Sequence, residues 1–221
     1  MDIKDIHSVA DIILIGSAEK PDEEMIIYGD ERITWQQMKD RSSQVANALR
    51  ADGVGPGDRV AYVDKNGPEY FELAFACGFM NAVTVAVNWR LTPIEMTYII
   101  NDAQANVLVI HEELAEHLAA MEGDLPDVHR VVVIGSHDTH VSYEEWRDQQ
   151  STDSEVAPTT PEDVSMQLYT SGTTGMPKGA QLTNANFHTA FNCVDWGMDG
   201  GTRTMVIMPL FHIGGSGWAF F

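Results

Sequence analysis

The stretch YTSGTTGMPKG, residues 169–179, decides how the rest of the chain is interpreted. It continues the apolar run 166–169 and combines four Ser or Thr hydroxyls with three glycines, one proline and Lys178. This composition predicts a strand that ends in a loop, and the loop cannot be helical. Glycines let successive backbone N–H groups turn inward, hydroxyls add donors, and Lys178 adds a mobile positive charge. The loop is therefore a candidate anion site, and polyphosphate fits its donors best.

The phosphate loop with the pattern G-x-x-x-x-G-K-[ST] does not fit, because Pro177 stands at its second glycine and Gly179 follows Lys178. Instead, the eleven residues resemble the signature loop of the adenylate-forming superfamily, which includes acyl-CoA synthetases, firefly luciferase and the adenylation domains of peptide synthetases. Three alternatives stay open: a surface turn that binds nothing, a non-catalytic nucleotide-binding module, and a phosphotransferase with an unusual phosphate loop.

A second motif, PLFHIGG at residues 209–215, is similar to the superfamily's P-x-F/Y-H-x-x-G segment. In that family the aromatic residue and the histidine border the pocket for the carboxylic acid that is activated. A histidine after an apolar run is by itself more often structural than catalytic. His212 lies 34 residues after Lys178, in the family's order, and this placement favours the pocket.

Weaker similarity extends over most of the chain and resembles acyl-CoA synthetases more than peptide-synthetase domains. It is carried by residues 33–35, 57–60, 87–91 and 92–95. Two departures are visible, since the family commonly has glycine near Asn81 and proline near Ala86. Both positions fall in the scaffold, so they affect local geometry rather than chemistry.

The charge of the chain limits its partners. Among 221 residues, 33 are acidic and 13 are basic, which gives a formal net charge of −20. This charge disfavours nucleic acid and anionic membrane, so small molecules are the expected partners. It also repels ATP. A nucleotide site must therefore be built from local donors and a few placed cations, such as Lys178.

No targeting or membrane-spanning segment is expected. Acidic residues occupy the N-terminus, where a signal peptide needs positive charge, and the apolar run 12–15 is short. Residues 71–89 change from a helical to a β-branched pattern, which predicts a helix and then a strand. Cys77 and Cys193 lack metal-ligand spacing, and we expect reduced cysteines and a cytoplasmic location.

Hydrophobic periodicity and helix caps predict alternating strands and helices. Strands are expected at residues 26–29, 59–63, 83–87, 106–110, 130–134, 166–169, 180–182 and 204–208. Helices are expected at residues 35–49, 68–80, 93–102 and 112–121, in a short stretch after Ser142, and at about 184–196. This order predicts an α/β fold in which a mostly parallel sheet carries helices on both faces.

The domain prediction follows from the resemblance. Residues 1–221 are expected to form an incomplete N-terminal domain of an acyl-CoA synthetase. It would divide into an N-terminal strand and helix (1–50), a parallel α/β subdomain (51–150), a connector (151–163), and the phosphate loop with the start of the acyl-pocket segment (164–221).

The resemblance implies a two-step ligation with ATP, Mg²⁺ and coenzyme A, in which a fatty acid, or alternatively an aryl acid, becomes an acyl-adenylate and then an acyl-CoA. Lys178 and His212 are the expected catalytic residues. The expected phosphate contacts are Thr170, Ser171, Gly172, Thr173, Thr174, Gly175 and Lys178, and the expected acyl-pocket residues are His212, Gly214 and Gly215. No metal ligand is expected in these 221 residues.

Three expectations concern the chain as it stands. Because the family's later motifs do not occur by residue 221, we expect no detectable ligase activity from this chain alone. We expect the glycine-rich loop to be mobile without nucleotide. The run 217–221 is interpreted as the last strand, with Trp218, Phe220 and Phe221 exposed and favouring self-association.

Overall fold

The computed structural model describes residues 3–170, 175–193 and 202–220. The strands are β1 (Glu24–Tyr28), β2 (Glu31–Thr34), β3 (Arg59–Val63), β4 (Val83–Ala86), β5 (Ala105–His111), β6 (Arg130–Ile134), β7 (Val141–Ser142), β8 (Val164–Thr170) and β9 (Lys178–Thr183). The α-helices are α1 (Val9–Glu19), α2 (Trp35–Ala51), α3 (Pro68–Met80), α4 (Pro93–Asp102), α5 (Ala115–Met121), α6 (Tyr143–Asp148), α7 (Asn184–Cys193) and α8 (Ile213–Phe220). Short 3₁₀ turns lie at Ile3–Asp5, Glu112–Leu114 and Glu122–Asp124.

Seven strands form one sheet in the order β7-β6-β5-β3-β4-β8-β9, and β1 pairs with β2 in a separate hairpin. Every pair in the large sheet is parallel except β8 with β9. The chain runs from β3 to β4 on one side and then returns across β3 to β5, so strand order reverses around β3. Ligands of open α/β sheets bind outside the carboxyl ends of the strands at such a reversal. The predicted fold class is confirmed.

Alternate residues of each strand pack into two separate cores. Val60 and Tyr62 of β3 face a core built with α1, α2 and α3. Ala61 and Val63 face a second core, which contains residues of α4 and α5. Both faces of the sheet are therefore covered, which explains why strands such as β4 are buried along their whole length.

Local sequence sets several element boundaries. Thr34 and Thr92 each close a capping box, with Gln37 and Glu95 as the third helical residues. Pro68 begins α3, where its missing N–H is tolerated. These helix starts, and the bounds of β3, α3 and β6, are confirmed as predicted.

A buried carboxylate joins three helices. The Glu72 side chain in α3 accepts hydrogen bonds from Arg147 at 3.0 Å, from Arg41 at 3.3 Å and from the Tyr143 hydroxyl at 3.1 Å. Glu72 is 0% exposed, so these partners replace the water that the charge would otherwise need. Helices α2, α3 and α6 are held together by this network.

Several sequence predictions were wrong. Helix α1 and strand β2 were not predicted, and the expected strand at 204–208 is irregular. The helix expected at 112–121 begins with a 3₁₀ turn. The last described segment is helix α8, not a strand, and its Phe220 is 6% exposed because it packs against Phe71 and Phe75. The expected exposure of Phe220 is therefore wrong, whereas Phe221 lies outside the described residues.

No helix within the described ranges is both long and apolar enough to cross a membrane.

Candidate functional site at the carboxyl edge of the sheet

The two ends of the glycine-rich loop lie side by side. Strand β8 ends at Thr170, and β9 begins at Lys178, and these two residues are register partners across the antiparallel pair. Lys178, predicted in the loop, is the first residue of a strand instead. Its side chain is exposed and has no ion-pair partner among the residues that the structure describes. The predicted contacts Ser171, Gly172, Thr173 and Thr174, and the predicted loop mobility, fall outside the described residues.

Helix α4 holds both sides of this loop. The Tyr98 hydroxyl donates to the Pro177 carbonyl at 3.4 Å, and the Tyr169 hydroxyl donates to Asp102 Oδ2 at 2.6 Å. Burial, and then the hydrogen bond to Asp102, raise the pKa of the Tyr169 phenol, so it remains a donor. Helix α4, on the second face of the sheet, therefore contacts the residues on both sides of the loop.

Close packing explains the glycine that follows Lys178. A Cβ on Gly179 would lie 2.5 Å from Gln167 Nε2 and 3.0 Å from the Tyr169 ring. Gln167 in turn donates to the Tyr169 hydroxyl at 2.9 Å. A larger residue at 179 would displace the two side chains that support the loop. The predicted phosphate contact Gly175 has φ +140°, a conformation open to glycine and rarely to other residues.

The histidine motif folds into a tight turn at the start of α8. The His212 amide donates to the Pro209 carbonyl at 3.1 Å, and the Gly214 amide donates to His212 Nδ1 at 3.1 Å. Because Nδ1 accepts, the neutral ring carries its proton on Nε2. The ring is exposed, so Nε2 is available to a ligand. A Cβ on Gly215 would lie 2.7 Å from the Met208 carbonyl oxygen, so glycine is required there by the turn itself.

Two residues that follow neighbouring strands hold this turn. Asn66, after β3, donates to the Met208 carbonyl at 3.0 Å and accepts from the Leu210 amide at 2.9 Å. Arg90, after β4, lies with its guanidinium carbon 4.6 Å from the Trp89 ring centroid and 5.7 Å from that of Phe211. The sequence analysis gave no site role to Asn66, Trp89 or Arg90, although residues 87–91 carried part of the resemblance. The available signal was their position just beyond strands that flank the reversal of strand order.

Some basic side chains at this edge of the sheet have no carboxylate partner among the described residues. Lys65 forms an ion pair with Glu113 and lies 5.7 Å from the Trp89 ring. Arg90 is exposed and has no carboxylate partner among residues 3–170, 175–193 and 202–220. Arg90 and Lys178 are therefore cations that this acidic chain leaves available to an anionic ligand.

Burial raises the pKa of two carboxyl groups near the site. The pKa of Asp64 is raised above its usual range, and that of Glu69, in the first turn of α3, is raised from 4.5 to about 7. Glu69 is therefore only partly ionised at neutral pH, which reduces the negative charge that an incoming anion meets. No group of three or more His, Cys, Asp or Glu side chains in the described ranges is arranged to hold a metal ion.

The structure brings the predicted residues together in two sets. Thr170 and Lys178 form one, and His212, Gly214 and Gly215 form the other. No hydrogen bond or ion pair links the two sets within the described part of the chain. They share one edge of the sheet because β8 pairs with β4, and Arg90 beyond β4 reaches Phe211.

Comparisons with known proteins give the family. Residues 16–221 match the model of the AMP-binding enzyme family. A fatty acid–[acyl-carrier-protein] ligase of Streptomyces coeruleorubidus is 33% identical over 209 residues, which cover 90% of this chain and 38% of that protein. A feruloyl-CoA synthase of an Amycolatopsis species is 36% identical over 196 residues, with coverage of 87% and 37%.

Solved structures show the same fold. An anthranilate CoA ligase in complex with anthranoyl-AMP superposes with a TM-score of 0.89 at 28% identity, over 100% of this chain and 44% of that one. A long-chain-fatty-acid-CoA ligase of Archaeoglobus fulgidus gives 0.86 at 27% identity, over 96% and 44%. The chain spans less than half of each relative. It belongs to the AMP-binding enzyme family, and its fold is that of the N-terminal domain of adenylate-forming enzymes.

Proposed function

We propose that this chain is the nucleotide-binding part of an acid–thiol ligase that forms AMP. In the first step a carboxylate oxygen attacks the α-phosphorus of ATP, and pyrophosphate leaves. In the second step the thiol of coenzyme A attacks the acyl carbon, and AMP leaves. The observation that carries the proposal is that Thr170 and Lys178, which flank the glycine-rich segment, are register partners at the carboxyl end of β8, the strand that pairs with β4.

The chain's residues act mainly through charge and hydrogen bonding. Lys178 faces the leaving pyrophosphate, and the hydroxyls and amides of the loop face the phosphate oxygens on which charge develops. His212 Nε2–H borders the reacting carboxylate. The proposed phosphate contacts are Thr170, Ser171, Gly172, Thr173, Thr174, Gly175 and Lys178, and the proposed acyl-pocket residues are His212, Gly214 and Gly215. Mg²⁺ bound to ATP would neutralise phosphate charge that this acidic chain otherwise repels.

A fatty acid is the proposed substrate, and an aryl acid is the alternative. The relatives do not favour one class, since they include a fatty acid ligase and a feruloyl-CoA synthase. The apolar character of residues 210–220 supports the fatty acid. We also propose the domain division at residues 50, 150 and 163 given above, a cytoplasmic location, and self-association. Self-association is supported by Met205 and Ile207, which are 75% and 77% exposed.

The test uses the protein as its gene encodes it. Acid-dependent exchange of labelled pyrophosphate into ATP is measured with a panel of fatty and aryl acids, and the nucleotide product is identified. We expect exchange with a fatty acid, and AMP as the product once coenzyme A is added. ADP would instead indicate a phosphotransferase. Nucleotide binding with no exchange for any acid would indicate a non-catalytic module.

A further inference from the structure

Asn66 uses both ends of its side-chain amide to hold one distant segment. Its Nδ2 donates to the Met208 carbonyl at 3.0 Å, and its Oδ1 accepts from the Leu210 amide at 2.9 Å. The partners lie 142 and 144 residues further along the chain. Two bonds from one planar group fix both the distance and the orientation of the backbone at 208–210.

The backbone around Asn66 is rigid. Asn66 lies between β3, the strand at the reversal of strand order, and residues Gly67 and Pro68, where α3 begins. Gly67 and Pro68 are buried, and β3 is hydrogen-bonded on both sides by β4 and β5. A side chain in this place has little freedom to follow a moving partner.

The segment that Asn66 holds leads directly into the catalytic candidate. Leu210 is 3% exposed and anchored in the first core, and the next two residues are Phe211 and His212. The His212 amide bonds to Pro209, which lies between the two backbone groups held by Asn66. The position of the imidazole relative to the sheet edge therefore depends on the Asn66 amide.

We propose that Asn66 is a positioning residue that sets the place of the His212 turn at the carboxyl edge of the sheet, and so determines how the carboxylic acid is bound. The inference rests on the proposed function. Asn66 itself does not touch the reacting atoms. Its removal changes the affinity for the acid and leaves the affinity for ATP, which is bound by the loop after β8, nearly unchanged.

The variant Asn66→Asp distinguishes a positioning role of Asn66 from a general contribution to the stability of the fold. Asp is nearly isosteric with Asn and keeps an acceptor for the Leu210 amide. Its ionised carboxylate lies against the Met208 carbonyl and has no donor for it.

Asn47→Asp is a matched control. Asn47 also donates to two distant backbone carbonyls, those of Ser151 and Asp153, each at 2.9 Å. It lies on α2 and ties down the connector rather than the His212 turn. Asn47→Asp therefore also removes hydrogen bonds to distant backbone, but at a place that does not hold the His212 turn.

The measurement is steady-state pyrophosphate exchange at pH 8 by the protein as its gene encodes it and by its Asn66→Asp, Asn66→Ala and Asn47→Asp variants, with the acid and ATP varied in turn. We expect the KM for the acid in Asn66→Asp to rise about tenfold, the effect of losing the hydrogen bond to Met208 and placing a carboxylate against its carbonyl, with the KM for ATP changed less than about twofold. Asn66→Ala, which loses both hydrogen bonds, should raise the KM for the acid at least as much.

A second readout does not depend on activity. Amide exchange of residues 208–213 is expected to speed up in Asn66→Ala and to stay at the wild-type rate in Asn47→Asp. Equal KM values for the acid in Asn66→Asp and Asn47→Asp, or unchanged amide exchange in Asn66→Ala, would each overturn the inference. A wild type without any exchange activity would overturn the proposed function, whereas an active wild type with an indifferent Asn66→Asp overturns only this inference.

Discussion

Replacing Gly215 with alanine tests the geometry of the histidine turn. The new Cβ would lie 2.5 Å from the carbonyl carbon of Pro209 and 2.7 Å from the carbonyl oxygen of Met208. Carbon atoms in contact prefer about 3.5 Å, so the Pro209 backbone must move by about 1 Å. Backbone cannot rotate out of the way as a flexible side chain can.

The cost has two parts. Overpacking of this kind costs about 1–3 kcal/mol, and the hydrogen bond from the His212 amide to the Pro209 carbonyl contributes about 1 kcal/mol more. We therefore expect Gly215→Ala to lower the free energy of unfolding by about 2–4 kcal/mol, or to relieve the clash by rearranging the turn. In either case His212 moves, and the KM for the acid should rise.

The assay is urea unfolding followed by circular dichroism, combined with pyrophosphate exchange. Gly123→Ala is the matched control, because a Cβ there meets no atom within 4 Å. Its free energy of unfolding should stay within about 0.5 kcal/mol of wild type. If Gly215→Ala is as stable as Gly123→Ala and binds the acid normally, then the turn is softer than the geometry indicates and this reasoning fails.

Three further predictions concern charge. Lys178→Ala should slow pyrophosphate exchange at least about tenfold without loss of fold, since an exposed side chain contributes little stability; an unchanged rate would exclude Lys178 from the phosphate site. Glu69 holds its proton more tightly when folded, so its contribution to stability falls as pH rises from 4.5 through about 7. Glu69→Gln should remove this loss, worth about 3 kcal/mol, and urea unfolding at pH 4 and 8 should show wild type and variant differing mainly at the higher pH. Glu72→Ala should cost about 3–5 kcal/mol, because Arg147, Arg41 and the Tyr143 hydroxyl all lose their buried acceptor, and a cost near that of the exposed Glu144→Ala would contradict the buried network.

Local sequence signals predicted the elements whose boundaries depend on local chemistry. Thr34 and Thr92 cap their own helices, and Pro68 starts α3 whatever the rest of the fold does. Strands β3 and β6 are short β-branched runs bounded by turns, and both were placed at their observed ends. In each case the deciding interaction lies within a few residues of the boundary.

Elements that depend on distant partners were not predictable in this way. Residues 204–208 have strand composition, but no strand of the described chain pairs with them, and without a ladder there is no strand. Helix α8 contains three glycines and has low intrinsic propensity, yet it forms because Phe220 packs against Phe71 and Phe75. Tertiary contacts overrode local preference in both segments.

The same dependence on distant contacts explains which residues of the candidate site could be predicted. Its two motifs are continuous in sequence, so Lys178 and His212 could be singled out by pattern alone. Asn66 and Arg90 act on the turn only because β3 and β4 are neighbours and end at the same edge of the sheet. No local pattern in residues 64–67 or 88–90 specifies a contact with residues more than a hundred positions away.

Asn81 joins the end of one helix to the start of a distant strand. It ends α3 with φ 56°, a left-handed conformation that glycine adopts freely and asparagine tolerates better than most residues. The asparagine also adds a contact that glycine could not make, because its Nδ2 donates to Asp163 Oδ2 at 3.0 Å. Asp163 immediately precedes β8, the strand that leads into the glycine-rich loop. Asparagine at this position therefore costs little at the helix end, and it ties that end to the start of the strand that leads into the glycine-rich loop.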